Sequence, residues 1–383
     1  MKHSGRWWLL TLGTLLFCFA CGDGKSGGTS SGSTEGGSAG TRTDDDDDAS
    51  ATDDDDDDDA SGGAGGRATG DDDDDASSGT AGTASGGDDD DDDASSSGGS
   101  GAAGDRFITH QDSDLAAIPK DAIAQAQQKL HIAYQHTSHG SQLITGMNAL
   151  AGFPDFGERY AWSDSGHSGA LDLDDNGIPG GSSDLSTGDS EDGNGDTPWV
   201  VATRALLDDS ANAHINVVMW SWCSINGHDA QRYVDNMEKL VEQYPGVTFV
   251  FMTGHAEGAG EDMTEDGVYY NNQLIREHCR EHHRWLYDFS DIEAYDPDGE
   301  YFFDRNMRDN LDYGDGNNWA VEWIAENPDH VLTELTMGTD GFDGTTGCAH
   351  SDSPAEANPN CVKKAAAAWN LYARPAGWDG TPD

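Results

Sequence analysis

Apolar positions of the chain concentrate beyond residue 117, and their spacing alternates between two periods. Ile118, Pro119 and Lys120 open a helix that runs to about Gln128, with proline in the first turn where its missing N–H is harmless. Leu130–Tyr134 is a short apolar block, read as a buried strand. Ser141–Leu150 has helical spacing, and Pro198–Leu207 begins a further helix. Ile215–Trp222 is the strongest strand of the chain, and Val247–Met252 and Arg284–Phe289 follow as two more. Between them, Ala230–Tyr244 is amphipathic: Tyr233, Met237, Leu240, Val241 and Tyr244 recur at helical spacing. Tyr270–His283 and the Ala-rich Cys361–Arg374 are the remaining helices, and the Gly- and Asp-rich stretch 151–197 shows no clear period. Trp199, Trp220, Trp222, Trp319, Trp323, Trp369 and Trp378 are read first as core residues, with sugar stacking as the other use of such rings.

Continuous apolar strands alternating with helices predict a parallel sheet covered on both faces. Right-handed crossovers then give an α/β fold, a three-layer α/β/α sandwich on a mostly parallel, doubly wound (flavodoxin-like) sheet. Ligands of such sheets bind beyond the carboxyl ends of the strands, so the residues following each strand are the candidates. They are Gln135–Ser141, Cys223–Gly227, Thr253–His255 and, before the last helix, Cys348–Asp352.

The layout of these segments resembles the SGNH (GDSL-type) hydrolase superfamily over about residues 125–375. In that family a serine ends the first strand, a glycine and an asparagine from later loops complete an oxyanion hole, and an Asp-x-x-His precedes the last helix. The resemblance implies Ser138 as nucleophile, Asn226 as oxyanion-hole side chain and His350 as general base, in a hydrolase cleaving an ester of a carbohydrate or other small molecule. It implies no required cofactor. The family's Gly-Asp-Ser reads His136-Thr137-Ser138 here, and the aspartate of Asp-x-x-His is Gly347. Asp343, Asp352 or a backbone carbonyl are the candidates to orient His350, and Gly181 or Gly188 the candidate oxyanion glycine. The same residues have plainer uses: Ser138 as a helix N-cap, Asn226 in an Asn-Gly turn, His350 in a local hydrogen bond. A non-catalytic carbohydrate- or ligand-binding domain on the same fold is the alternative function. A second enzymatic alternative uses His136, His139 and His255 on the same edge as ligands of a hydrolytic metal.

Asp172, Asp174 and Asn176 with Gly177 follow an Asp-x-Asp-x-Asn-Gly spacing, a candidate structural Ca²⁺ loop. Its twelfth position is Ser183 rather than Glu, with Asp184 one step later.

The first 104 residues carry no folding pattern. Lys2, His3 and Arg6 precede the apolar run Trp7–Ala20, which is too short for a membrane span and suits a secretory signal. Its end, Cys18-Phe19-Ala20-Cys21-Gly22, resembles a bacterial lipobox. This implies a signal peptide of residues 1–20, lipidation of Cys21 and an exported protein whose partner is a membrane, at the outer membrane or cell surface. Residues 21–104 are read as a disordered acidic linker. The runs Asp44–Asp48, Asp53–Asp59, Asp71–Asp75 and Asp88–Asp93 repel themselves, and almost nothing apolar opposes chain entropy. A spacer of this length spans on the order of 50 Å or more. Residues 105–383 are the folded domain. The net charge of −53 argues against a nucleic-acid partner, whose phosphates need Lys and Arg. In an oxidising compartment the remaining cysteines form Cys348–Cys361 and Cys223–Cys279 as candidate pairs, and connectivity is open from sequence.

Overall fold

The computed structural model describes residues 106–382 except 165, 181, 189 and 351–357. The signal sequence, Cys21, the Asp runs, Gly181 and Asp352 lie outside the described residues. Among the described residues, no helix is long and apolar enough to cross a membrane.

In chain order the elements are β1 (Phe107–Ile108), α1 (Lys120–Lys129), β2 (His131–Gln135), α2 (Ser141–Gly152), β3 (Trp162–Ser163), β4 (Leu171–Asp175), α3 (Pro198–Asp208), β5 (Val217–Trp220), α4 (Ala230–Gln243), β6 (Thr248–Met252), α5 (Val268–His282), β7 (Trp285–Tyr287) and α6 (Phe289–Ala294). A small antiparallel pair follows, β8 (Asp312–Tyr313) and β9 (Asn317–Asn318), then α7 (Trp319–Glu326), α8 (Val331–Met337) and α9 (Asn358–Ala373). The first seven strands form one sheet in the order β1-β7-β6-β5-β2-β4-β3, parallel at every pairing. Helices cover both faces, α1, α2 and α9 on one and α3, α4 and α5 on the other. The three-layer doubly wound sandwich predicted by the pattern is therefore present. Within it, β4-β2-β5-β6-β7 has the flavodoxin-type order, and the strand order reverses between β2 and β5, where such sheets open a crevice.

Strands β3 and β4 lie in the stretch that showed no period. In β4 the alternation is in fact present: Leu171 and Leu173 are buried, Asp172 and Asp174 half-buried. Six of the seven singled-out tryptophans are buried in the core and Trp378 is half-buried. Every residue of α9 is buried. It crosses α2 so closely that a Cβ at Gly146 would stand 1.9 Å from the Cys361 carbonyl oxygen, so only glycine fits there.

Cysteine pairing follows expectation once and departs from it once. Cys348 and Cys361 are disulfide-bonded, tying the segment before α9 to the helix. Cys279 is a buried free thiol on α5, so the expected Cys223–Cys279 bridge does not form. An even cysteine count allows a pairing; only burial and direction show that α5 turns this thiol into the core.

Candidate functional site

Four segments of chain meet at the carboxyl edge. After β2 the chain turns through residues 136–140 into α2. Gly140 makes the turn possible, since a Cβ there would lie 2.2 Å from Ser221 Oγ and 2.4 Å from His136 Cβ. The helix N-cap position is Gly140 itself, without a side-chain cap, so Ser138 is not the cap of α2. Ser138 Oγ lies 4.0 Å from Cys223 Sγ, which brings the loops after β2 and β5 together at the point of strand-order reversal. Ser186 Oγ braces the second loop, accepting from Cys223 N at 3.0 Å and Ser224 N at 3.1 Å. Thr137 Oγ1 donates to the buried Asp184 at 2.5 Å.

Three imidazoles stack face to face, the middle one belonging to the residue that follows Ser138. The His139 ring lies between His255, at 3.5 Å between centroids and 10° between planes, and His350, at 3.9 Å and 5°. One carboxylate oxygen serves two of them: Asp309 Oδ2 is 3.0 Å from His139 Nε2 and 3.3 Å from His350 Nδ1. Each member is held from behind. His255 Nδ1 donates to Ala256 O at 2.9 Å, and Ala256 N donates to Glu293 Oε1 at 2.5 Å. The loop after β6 is zipped to the Asp309 loop through Gly258 N, which donates to Met307 O at 2.9 Å, and the Glu257–Arg308 bridge. His350, at φ +61°, follows the Cys348 bridge, and Gln142 Nε2 of α2 donates to its neighbour Ala349 O at 2.8 Å.

Electrostatics sorts the group. Burial pushes His139 down to about 3 against the pull of Asp309, and the two flanking imidazoles add to the fall. His139 is therefore neutral near pH 7. Burial raises Asp309, but the hydrogen bond from His139 and the surrounding imidazoles outweigh it and hold the carboxyl at about 2. With Nε2–H directed at Asp309, His139 Nδ1 is a bare nitrogen, buried and without a hydrogen-bond partner. His255 Nε2 is buried with no hydrogen bond as well, 3.6 Å from Glu257 Oε1. Donor atoms of His139, His255 and Asp309 all lie within 4.8 Å of one another, a group able to hold a metal ion.

The other sequence candidates lie apart from this stack. His136 donates its Nδ1 to Thr137 O at 2.9 Å and meets Asp175 Oδ1 through Nε2 at 2.6 Å, so its ring turns toward β4, away from His139. Asn226 is exposed, in the turn that Gly227 completes at φ +77°. Asp343 is exposed on the segment before Cys348. Asp172 and Asp174 are residues of strand β4, Asp172 meeting His131, and the Asn176 carboxamide oxygen accepts from Gln135 Nε2 at 3.1 Å and His136 N at 3.3 Å. Asp309 carries no sequence signal that marks it, lying in an irregular loop between α6 and β8.

No family model matches this chain, and no curated protein or solved structure matches it.

The low value for His139 sets a pH dependence of stability. Between pH 6.5 and 3 the unfolded chain binds a proton that the folded imidazole rejects, so stability falls as pH falls through that window. The slope is about 1.4 kcal/mol per pH unit, or roughly 2 kcal/mol between pH 6.5 and 5. Asp309 continues the trend, its contribution being present above pH 3.8 and lost as pH drops toward 2. Urea midpoints at pH 7 and 5 measure this, and His139→Asn is expected to flatten the difference.

Proposed function

We propose that the folded domain is a serine hydrolase acting on an ester of a carbohydrate or other small molecule, with Ser138 as nucleophile, His350 as general base and Asp309 as the carboxylate that orients it. The observation that carries this reading is the 3.3 Å approach of Asp309 Oδ2 to His350 Nδ1. It supplies the acid that Gly347 cannot, on a ring stacked against the neighbour of Ser138. A serine hydroxyl is a weak nucleophile until a base removes its proton. With Nδ1–H on Asp309, the Nε2 of His350 is the basic nitrogen. It takes the Ser138 proton as Oγ attacks the ester carbonyl, then returns it to the leaving alkoxide. Water repeats the cycle on the acyl-serine. The backbone N–H of Ser138, in the turn before α2, is the proposed donor to the oxyanion, since the N–H groups of Ser141, Gln142 and Leu143 are already donated to Thr137 O, His139 O and Gly140 O. The lipobox and acidic tether support placing this hydrolase outside the cell, anchored through Cys21.

A second reading, a metal-dependent hydrolase, is favoured by the two partnerless ring nitrogens of His139 and His255 beside Asp309. There His139, His255 and Asp309 would hold the ion, which would supply an activated water. Two experiments separate the readings. A fluorophosphonate probe followed by peptide mapping is expected to label Ser138 in the presence of EDTA. Esterase activity that vanishes with EDTA yet survives Ser138→Ala overturns the serine reading in favour of the metal. Neither labelling nor turnover leaves a binding lipoprotein.

A further inference from the structure

A second cluster of histidine and aspartate stands at the opposite, amino-terminal edge of the sheet. His131 is the first residue of β2, Asp172 lies in β4, and His214 precedes β5. Their donor atoms lie within 4.8 Å of one another. His131 Nδ1 is 2.5 Å from Asp172 Oδ2, and the His131 and His214 rings meet edge to face, 5.3 Å between centroids and 83° between planes.

We propose that His131, Asp172 and His214 form a binding site for a transition-metal dication, separate from the site at the carboxyl edge.

Two paired strands supply His131 and Asp172, and the turn leading into a third supplies His214. The parallel register sets His131 directly opposite Asp172. On the other side Asn216 locks β2 to the chain entering β5: its Oδ1 accepts from His131 N at 2.9 Å, its Nδ2 donates to Lys129 O at 2.7 Å, and its own N donates to His131 O at 3.0 Å. His214 is two residues away from that clamp. Sites built on paired strands hold their ligands more accurately than loops do. The donor set of two imidazoles and one carboxylate suits zinc, copper, nickel or iron and leaves coordination positions open for water or a ligand. It does not suit calcium, which takes oxygen.

Asp174 lies on the same face of β4 as Asp172. The His131–Asp172 hydrogen bond by itself accounts for two residues, but not for His214 reaching the same point. Carboxylate–imidazole pairs of this kind also orient metal-binding histidines.

The test uses the full chain, with millimolar Ca²⁺ present to occupy the oxygen-only Asp runs, and Zn²⁺ alone as the probe. Calorimetric titration is expected to show a Zn²⁺ site whose affinity falls at least tenfold in His214→Ala and His131→Ala and is unchanged in His255→Ala. His214 is exposed, so its substitution leaves the core untouched, and an unchanged thermal melt checks this. Diethyl pyrocarbonate mapping gives an independent readout: Zn²⁺ should protect His131 and His214 from modification. Identical isotherms for wild type and His214→Ala, or protection confined to His139 and His255, overturns the proposal. Neither measurement depends on esterase activity, so the outcome stands whether or not Ser138 proves to be a nucleophile.

Discussion

Asp309→Asn is expected to lower kcat for ester hydrolysis by on the order of 10³–10⁴-fold, with KM changed by no more than a few-fold. The carboxylate is not itself a reacting group. In the proposed reaction it accepts the Nδ1 proton of His350, which leaves Nε2 free to take the Ser138 proton, and its charge stabilises the imidazolium that then forms. An amide in its place can offer N–H to the ring and stabilise the wrong tautomer. The interaction is made most strongly in the transition state, so the loss falls on kcat. The neighbouring His139 keeps a hydrogen-bond acceptor in the Asn variant, so the stack persists, and a thermal melt reads the stability lost with the charge. Steady-state kinetics on a p-nitrophenyl ester, with fluorophosphonate labelling to count competent sites, measures the change. A loss below tenfold removes Asp309 from the reaction. A loss fully restored by added Zn²⁺ transfers it to the metal reading.

Lys364→Met is expected to destabilise the domain by about 3–5 kcal/mol, measured by urea denaturation at pH 7. Lys364 and Glu293 are both fully buried, with Nζ 2.7 Å from Oε2. Lys364 also donates to Gln142 Oε1 at 2.5 Å and lies 3.4 Å above the Phe289 ring. Burial pushes Lys364 down to about 8 despite Glu293, so desolvation consumes much of what the pair gains. Removing the lysine alone leaves an uncompensated carboxylate in the core, the costly outcome. Glu293→Gln combined with Lys364→Met is expected to recover a large part of the loss, because no charge then remains buried. A single variant that loses less than about 1 kcal/mol contradicts this account.

The fold was legible where one period dominates over several turns. α4 is the clearest case, its apolar stripe buried against the sheet much as the spacing predicts. β2, β5 and β6 were legible as apolar blocks because they are covered on both faces. β4 was obscured by its own polar face. Leu171-Asp172-Leu173-Asp174 is a strand alternation, but the same letters match an oxygen-ligand loop, and only pairing with β2 distinguishes the two. The site was legible as a set of loop positions but not as directions. His136 and His139 stand on one turn, where spacing does not tell which way a ring points, and they part to Asp175 and Asp309. Asp309 was illegible because it reaches the stack through pairing of its loop with residues 257–258. Nothing in its neighbourhood foretells that contact. Cysteine parity misled for the same reason, since a count carries no geometry.

Helix α9 ends up governing both outer members of the imidazole stack. Through Cys361 it carries the strap bearing His350, and through Lys364 and Glu293 it sets the height of the turn bearing His255. Two imidazoles from distant parts of the chain are thus fastened to the same buried rod.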